Sequence, residues 1–485
     1  MRLKSLIKEL EYKRLENVTD CEIKGISCNS ENIRPGYLFV AIAGCRHDGH
    51  SFVKEAIARG AVALILEKNL PLKEKPAKIL VSDSQTALAA VCARFFGHPA
   101  GKLKVIGVTG TNGKTTVSYL IEKILNCAGY PSGIIGTVSY RVGRNERPAV
   151  NTTPQADLLQ SLLQEIVLSK SKYAIIEVSS HALTQRRVEG VSFSSALFTN
   201  LTPEHLDYHK SLSRYFSCKA SLFEGLSASS LAIVNTDDPY GRKLVKRINS
   251  RLLTFGIASP AQIQAKDIAL TLKQSRFKAV TPKGTIEITS PLIGRHNVYN
   301  ILAAISAAFA ENIDFAHIAS GVGELNAVCG RLERVDCGQA FELFIDYAHT
   351  EDALEKILQA LRQVSKNRII LVFGCGGDRD KAKRPAMGKV ATELSDVAII
   401  TSDNPRSEEP ERIISDILKG VDKKKDNYQV VLDRFEAIGR AVSLAGAADT
   451  VVIAGKGHET VQIFADRTIH FNDREAVEKV LDVHN

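Results

Sequence analysis

The chain has 485 residues, 44% of them apolar and 24% charged, with 63 basic against 54 acidic side chains for a net charge of +9. This length exceeds one ordinary core, so two to four domains of a globular protein are expected. No run approaches the roughly 18–20 apolar residues of a membrane span, the positive excess is too small and dispersed to mark a nucleic-acid face, and nine scattered cysteines without a CxxC pair fit reduced thiols better than a disulfide framework or a zinc site.

Residues 1–98 form the first block. The charged start, Met1 to Glu9, reads as an amphipathic helix without the apolar stretch of a secretory signal, so a cytoplasmic address is expected. Strand-like runs follow at Tyr37–Ile42 and Ala61–Leu66, with a helical stretch from Ser51 to Arg59 between them. Gly97-His98-Pro99-Ala100-Gly101 is a breaker cluster suited to a linker.

The second block, 99–329, alternates apolar runs with helical patterns. Its runs include 104–108, 173–178, 195–199 and 231–234, which predicts a largely parallel sheet covered by helices. After the first run comes Gly107-Val108-Thr109-Gly110-Thr111-Asn112-Gly113-Lys114-Thr115-Thr116, then a helical pattern from Val117. The match to the general phosphate-loop pattern is partial, because Gly107 lies six positions before Gly113 rather than five. Its physics is intact: small residues let backbone N–H groups close on phosphate oxygens at a helix N-terminus. Lys114 suits the terminal phosphates and the Thr115 hydroxyl suits Mg²⁺.

The third block, 330–485, repeats the alternation, with runs at 343–345, 368–373, 397–400, 429–432 and 450–454. Four polar clusters stand just past four of these runs: Asp346-Tyr347-Ala348-His349, Gly374-Cys375-Gly376-Gly377-Asp378-Arg379, Asp403-Asn404-Pro405-Arg406 and Gly455-Lys456-Gly457-His458-Glu459. Ligands bind at the carboxyl ends of parallel strands, so the four clusters point to one surface. The only dense basic run, Lys423-Lys424-Lys425, reads as a solvated loop.

The spelling Gly110-Thr111-Asn112-Gly113-Lys114-Thr115-Thr116 resembles the Mur ligases and folylpolyglutamate synthases, three-domain ATP-dependent enzymes that form amide bonds. The Mur side is favoured by Asn151-Thr152-Thr153-Pro154, Glu177-Val178-Ser179-Ser180-His181, Thr199-Asn200 with His205-Leu206-Asp207-Tyr208-His209, Lys219, Gly294-Arg295-His296-Asn297 and Gly330-Arg331, in the family's order along nearly the whole chain. The resemblance implies an α/β fold of three domains: a small N-terminal α/β domain (1–98) for the UDP substrate, a central P-loop-type domain with a mostly parallel sheet (99–329) for ATP, and a Rossmann-like C-terminal domain (330–485) for the amino acid.

It also implies roles. ATP phosphorylates a substrate carboxylate, and an amine then displaces phosphate. Lys114, Glu177, His205 and Lys219 are the implied catalytic residues. Thr115, Glu177 and His205 would hold Mg²⁺, and Lys219 would carry a CO₂-derived carbamate (N6-carboxylysine). Gly110 to Thr116 with Asn297, Arg331 and Asp346 would bind ATP. Ser30, Asn151, Thr152, Thr153, Ser179, Gln185 and Arg187 would hold a UDP-muramoyl dipeptide. Arg379, Asp403, Asn404, Pro405, Arg406, Gly455 and Glu459 would hold meso-diaminopimelate, with Arg406 gripping the distal carboxylate by two hydrogen bonds and Glu459 facing the distal ammonium.

Lysine lacks that carboxylate and would leave Arg406 unpaired. The same ligation with L-lysine, or a folate-type glutamate ligation, is the alternative. The first domain departs from the family pattern: where many relatives carry Asp-Ser-Arg near uridine, this chain reads Cys28-Asn29-Ser30-Glu31. Small-molecule substrates, no nucleic-acid or membrane partner and a monomer are expected.

Overall fold

The structure is a computed structural model that describes residues 1–44 and 47–484, leaving aside the side chains of 483 and 484. Three principal sheets follow one another along the chain. The first has five strands, Arg14–Glu16, Ala77–Leu80, Ala61–Leu66, Tyr37–Val40 and Gly25–Ser27 in spatial order, all parallel except for the antiparallel edge at Arg14–Glu16. The helix expected at the N-terminus is a single turn, Leu3–Leu6. Leu3, Leu6 and Ile7 already reach the core from it, and backbone bonds from Leu3 to Cys21 and from Ile23 to Met1 tie the segment down. The eight described cysteines are free thiols, and Cys45 lies outside the described residues.

The second sheet has eleven strands. Lys104–Thr109 lies inside it between Tyr173–Glu177 and Ser195–Phe198, parallel to both. Alternate residues of these strands feed two cores. Ile106, Val108, Ile175 and Leu197 pack against the helices Lys114–Cys127 and Arg295–Ala310. Val105, Ala174, Ile176 and Phe198 pack against Ala156–Leu168 and Leu212–Glu224. The doubly buried strands explain why the sequence shows continuous apolar runs here.

Beyond the parallel strands the sequence expectation of strand–helix alternation fails. Ile263–Leu270, Ser275–Thr281 and Gly284–Ser290 pair antiparallel and extend one edge of the sheet, while Ser139–Val142 and Asn145–Pro148 extend the other.

The third sheet has six strands. Glu342–Asp346, Thr450–Ala454, Ile369–Phe373, Val397–Ile400 and Tyr428–Val430 are parallel, and Glu333–Val335 is an antiparallel edge. Each face is covered by helices, with Leu371 and Phe373 on one side and Ile370 and Val372 on the other. Arg434 and Asp473, both fully buried, pair across this domain at 2.7 Å, and Arg434 also donates to the carbonyl of Ala454. The Lys423–Lys425 run lies exposed in a turn. Among the described residues, no helix is long and apolar enough to cross a membrane.

Candidate active site

The loop between Lys104–Thr109 and the helix Lys114–Cys127 is built on two glycines. Gly110 has φ +146° and a Cβ there would lie 1.9 Å from Thr199 Oγ1; Gly113 has φ +88° and its Cβ would lie 2.2 Å from Asn300 Oδ1. Only glycine meets both the backbone and the space. The neighbouring strand end holds the loop: Thr199 Oγ1 donates to the carbonyl of Asn112 (2.7 Å), and the Asn112 N–H donates to Asn200 Oδ1 (2.9 Å). The Thr111 hydroxyl lies 3.3 Å from the Tyr215 hydroxyl. Lys114 Nζ, whose pKa burial lowers, donates to the carbonyls of Gly110 (3.0 Å) and Thr111 (2.8 Å).

Glu177 ends its strand fully buried. It accepts from the Thr115 hydroxyl (3.0 Å) and from Thr137 N–H and Oγ1 (both 2.9 Å). A buried carboxylate beside a hydroxyl at the phosphate end of the loop is a hard oxygen pair that fits Mg²⁺. His205 stands at the N-terminus of the short helix Leu206–His209. It lies 3.7 Å from Glu204 and edge-on to His181, with ring centroids 4.8 Å apart. Among the described residues, no group of three or more His, Cys, Asp or Glu side chains is arranged to hold a metal.

Lys219 lies on the buried face of Leu212–Glu224. Its Nζ donates to the carbonyl of Gly110 at 2.8 Å and sits 4.7 Å from the Tyr215 ring centre. Burial, and then Lys114, push its pKa down to about 7. Glu204 counters both lysines. Burial alone would raise its pKa, but His205, Lys114, His349 and Lys219 together hold it below the ordinary carboxylate value.

Thr152, Thr153, Ser179, Gln185 and Arg187 form a connected patch beside Glu177. Thr152 Oγ1 lies 3.2 Å from Thr137 Oγ1, and Thr153 Oγ1 donates to the Glu177 carbonyl (2.7 Å) and to Ser179 Oγ (3.2 Å). Arg187 donates to the carbonyl of Thr153 (2.7 Å) and to Gln185 Oε1. Asn151 is exposed, its backbone bonded to the Tyr140 hydroxyl. Ser30 stands apart, its hydroxyl donated to Glu55 (3.0 Å). From the same loop Ser27 Oγ and Cys28 N–H reach Asp157 at the start of a central helix.

Two cavities lie where the central and C-terminal sheets face each other. One, of about 430 Å³, is lined by Asn112, Gly113, Thr116, Asn297, Arg331 and Asp346 among others. Asp346 accepts from Leu332 N–H (2.6 Å) and Ala348 N–H (2.7 Å), and burial raises its pKa. Arg331 donates to Thr115 Oγ1 at 3.3 Å. The amide of Asn297 is engaged inward, with Ile293 and Asn300. The second cavity, of about 780 Å³, is lined by Arg379, Asp403, Asn404, Arg406, Gly455 and Glu459. Pro405 shapes the turn beneath them, its carbonyl so close to Gly377 that a Cβ there would lie 1.8 Å away. Arg406 has φ +55° and donates to the carbonyl of Gly377 at 2.7 Å.

Sequence reasoning assigned no role to several residues that this geometry singles out. Glu204 lines both cavities. Lys456 is fully buried beneath Asn404 and Glu459, donating to Asn404 Oδ1 and Glu459 Oε2 at 3.2 Å each and to the carbonyl of Val461 at 2.6 Å. Asp352, at the start of the helix Glu351–Val364, accepts from Asn112 Nδ2 (2.9 Å), Thr202 Oγ1 (2.9 Å) and Lys356 (2.7 Å). It thereby fastens the C-terminal domain to the phosphate loop. Asp352→Ala is expected to destabilise the protein by about 1–2 kcal/mol, measured by urea unfolding, and to raise KM for ATP.

The architecture and the motifs agree with the comparisons. Family models described as Mur ligase family catalytic domain, Mur ligase middle domain and Mur ligase glutamate ligase domain match residues 22–96, 108–308 and 330–457. A UDP-N-acetylmuramoyl-L-alanyl-D-glutamate--2,6-diaminopimelate ligase of Syntrophomonas wolfei subsp. wolfei is 42% identical over 484 residues, covering 99% of both chains. The chain belongs to the Mur ligase family. An enzyme of the same name from Clostridium perfringens is 43% identical, covering 99% of this chain and 100% of the other. A solved structure of a ligase with that name superposes with a TM-score of 0.68 at 32% identity, covering 95% of each chain. Within this Mur ligase the carboxyl ends of the parallel strands in the central and C-terminal sheets converge on the two cavities, as expected of binding edges in such sheets.

Proposed function

We propose that this Mur ligase joins meso-2,6-diaminopimelate to the D-glutamate of UDP-N-acetylmuramoyl-L-alanyl-D-glutamate, converting ATP to ADP and phosphate, as a cytoplasmic monomer in peptidoglycan precursor synthesis. One observation carries the reading. A cavity holding Arg379, Arg406, Asp403 and Glu459 adjoins the nucleotide cavity, and residues of the junction line both. Charges of both signs suit an amino acid with an amine and a carboxylate at each end.

The three segments divide the work. Residues 1–98 meet the UDP end of the substrate, 99–329 hold ATP and the muramoyl dipeptide, and 330–485 hold the amino acid. Lys114 leaves the loop carbonyls for the γ-phosphate and offsets charge as it moves to the substrate carboxylate, forming an acyl phosphate. Thr115 and Glu177 would hold Mg²⁺, with His205 at its periphery; the ion supplies Lewis-acid neutralisation of the phosphates. Lys219 suits carbamylation because its depressed pKa leaves a neutral amine to attack CO₂. The carbamate N–H retains the donor that Gly110 now uses. Arg331 and Asp346 flank the nucleotide, while Thr152, Thr153, Ser179, Gln185 and Arg187 present hydroxyl, amide and guanidinium groups to the muramoyl peptide. Glu459, held by Lys456 and Asn404, receives the distal ammonium.

Phosphate release with ATP, Mg²⁺ and the UDP-muramoyl dipeptide tests this, with diaminopimelate, lysine and glutamate offered in parallel. Turnover with diaminopimelate is expected; turnover with lysine or glutamate alone would refute the reading. Arg406→Ala is expected to raise KM for diaminopimelate roughly 10–100-fold, with kcat little changed.

A further inference from the structure

Four residues line both cavities: Glu204, Tyr347, His349 and Thr350. An amine travelling from the amino-acid cavity to an activated carboxylate at the phosphates must pass this junction. It arrives as an ammonium and has no lone pair until a proton is removed. Thr350 and Tyr347 carry hydroxyls of low basicity at neutral pH, and burial pushes that of Tyr347 up to about 12. Glu204 is drawn to the cations around it. His349 remains, and its chemistry is set by one bond.

His349 Nδ1 lies 2.9 Å from the carbonyl oxygen of Tyr347. A carbonyl only accepts, so the proton of the neutral ring sits on Nδ1 and Nε2 bears the free lone pair. No described residue forms a hydrogen bond to that Nε2. The ring is fixed from other sides as well: it packs on Tyr347 with centroids 4.6 Å apart, and Lys383 Nζ donates to the His349 carbonyl at 2.8 Å.

We propose that His349 is the general base of the amide-forming step, taking a proton from the attacking ammonium on Nε2. This rests on the acyl-phosphate reading above. The ammonium gives one proton to Nε2, leaving an imidazolium and a neutral amine. The amine lone pair forms the C–N bond. The bond from the acyl carbon to the phosphate oxygen breaks, its electron pair leaving with inorganic phosphate, which collects the second amine proton. The third stays on the amide nitrogen, and the imidazolium returns its proton to solvent.

The groups facing the ring are Glu204 from the central domain, Lys383 from the helix Lys383–Leu394, and Arg331, Tyr347 and His458 from the surrounding loops. Burial, then Lys383 and Arg331, push the imidazole pKa down to about 4, against the opposing pull of Glu204. Bound triphosphate and carboxylates place anions against those two cations and raise the ring's proton affinity when both substrates are seated.

Hydroxylamine separates the steps, because it is largely unprotonated at neutral pH and needs no base to trap an acyl phosphate. With ATP, Mg²⁺ and the UDP-muramoyl dipeptide, the wild type is expected to form hydroxamate. His349→Ala should retain hydroxamate formation close to the wild-type rate, while ligation of diaminopimelate falls about 10²–10⁴-fold and is partly restored by added imidazole. His349→Asn, whose amide keeps a donor for the Tyr347 carbonyl but offers no basic nitrogen, should show the same split. Equal loss of both reactions in the Asn variant, or diaminopimelate ligation near the wild-type rate in either variant, would overturn the assignment. Absence of hydroxamate in the wild type while it still ligates diaminopimelate would overturn the acyl-phosphate reading, and the base with it.

Discussion

Lys114→Ala is expected to cut turnover by roughly 10²–10³-fold or more, the loss typical of removing one preorganised donor from developing negative charge. The ammonium is already in the loop, bonded to two of its carbonyls and desolvated by burial. It therefore needs only a short exchange of partners to meet a phosphate, and little solvent must be reorganised during transfer. The same bonds predict a modest structural effect, because the carbonyls of Gly110 and Thr111 lose a donor. Lys219 still donates to Gly110, so the loop keeps one of its ties. Phosphate release measured alongside thermal unfolding separates the two effects. A variant that folds normally and retains near-wild-type turnover would remove the phosphate loop from the mechanism.

How much of this was legible in the chain depends on the range of the interaction. The phosphate loop could be read because its glycines answer to local backbone demands, a positive φ and no room for a Cβ. The four polar clusters of the third block could be read because each stands at the end of an apolar run, and parallel pairing then brings four strand ends to one edge. The edge strands from Ile263 to Ser290 were less legible among helical patterns. Their alternation, with Phe277, Ala279, Ile286 and Ile288 buried between exposed or half-buried neighbours, is nevertheless a period of two in the sequence itself.

Glu204, Asp352 and Lys456 carried no local signal that assigned them a role. A carboxylate before a histidine, another in the first turn of a helix and a lysine between glycines are each ordinary in isolation. Their roles come from partners up to 240 positions away, which only the packing of domains supplies. Ser30 shows the converse. Its residue type suits a sugar or a base, yet Glu55 on the neighbouring helix takes its hydroxyl, and the departure from the family pattern at Cys28 to Glu31 coincides with a loop turned toward Asp157.

Lys219→Ala is expected to lower turnover by about 10²–10³-fold, and small carboxylates such as acetate should restore part of it. The argument starts from burial. A lysine sealed from water beside a second lysine favours the neutral amine, and here the pKa falls from 10.5 to about 7. Only the neutral amine attacks CO₂, so the reactive fraction grows as pH rises through about 7 and shrinks below it. In CO₂-depleted buffer the wild type should therefore lose activity, most severely on the acid side of that range, and bicarbonate should restore it. The alanine variant should ignore bicarbonate and answer to acetate, because the space left by the side chain admits a carboxylate that supplies the missing negative charge. If acetate fails to raise activity in a folded Lys219→Ala protein, and intact-mass measurements in bicarbonate find no CO₂ adduct on the wild type, the buried lysine acts as a cation bonded to Gly110 and the carbamate assignment falls.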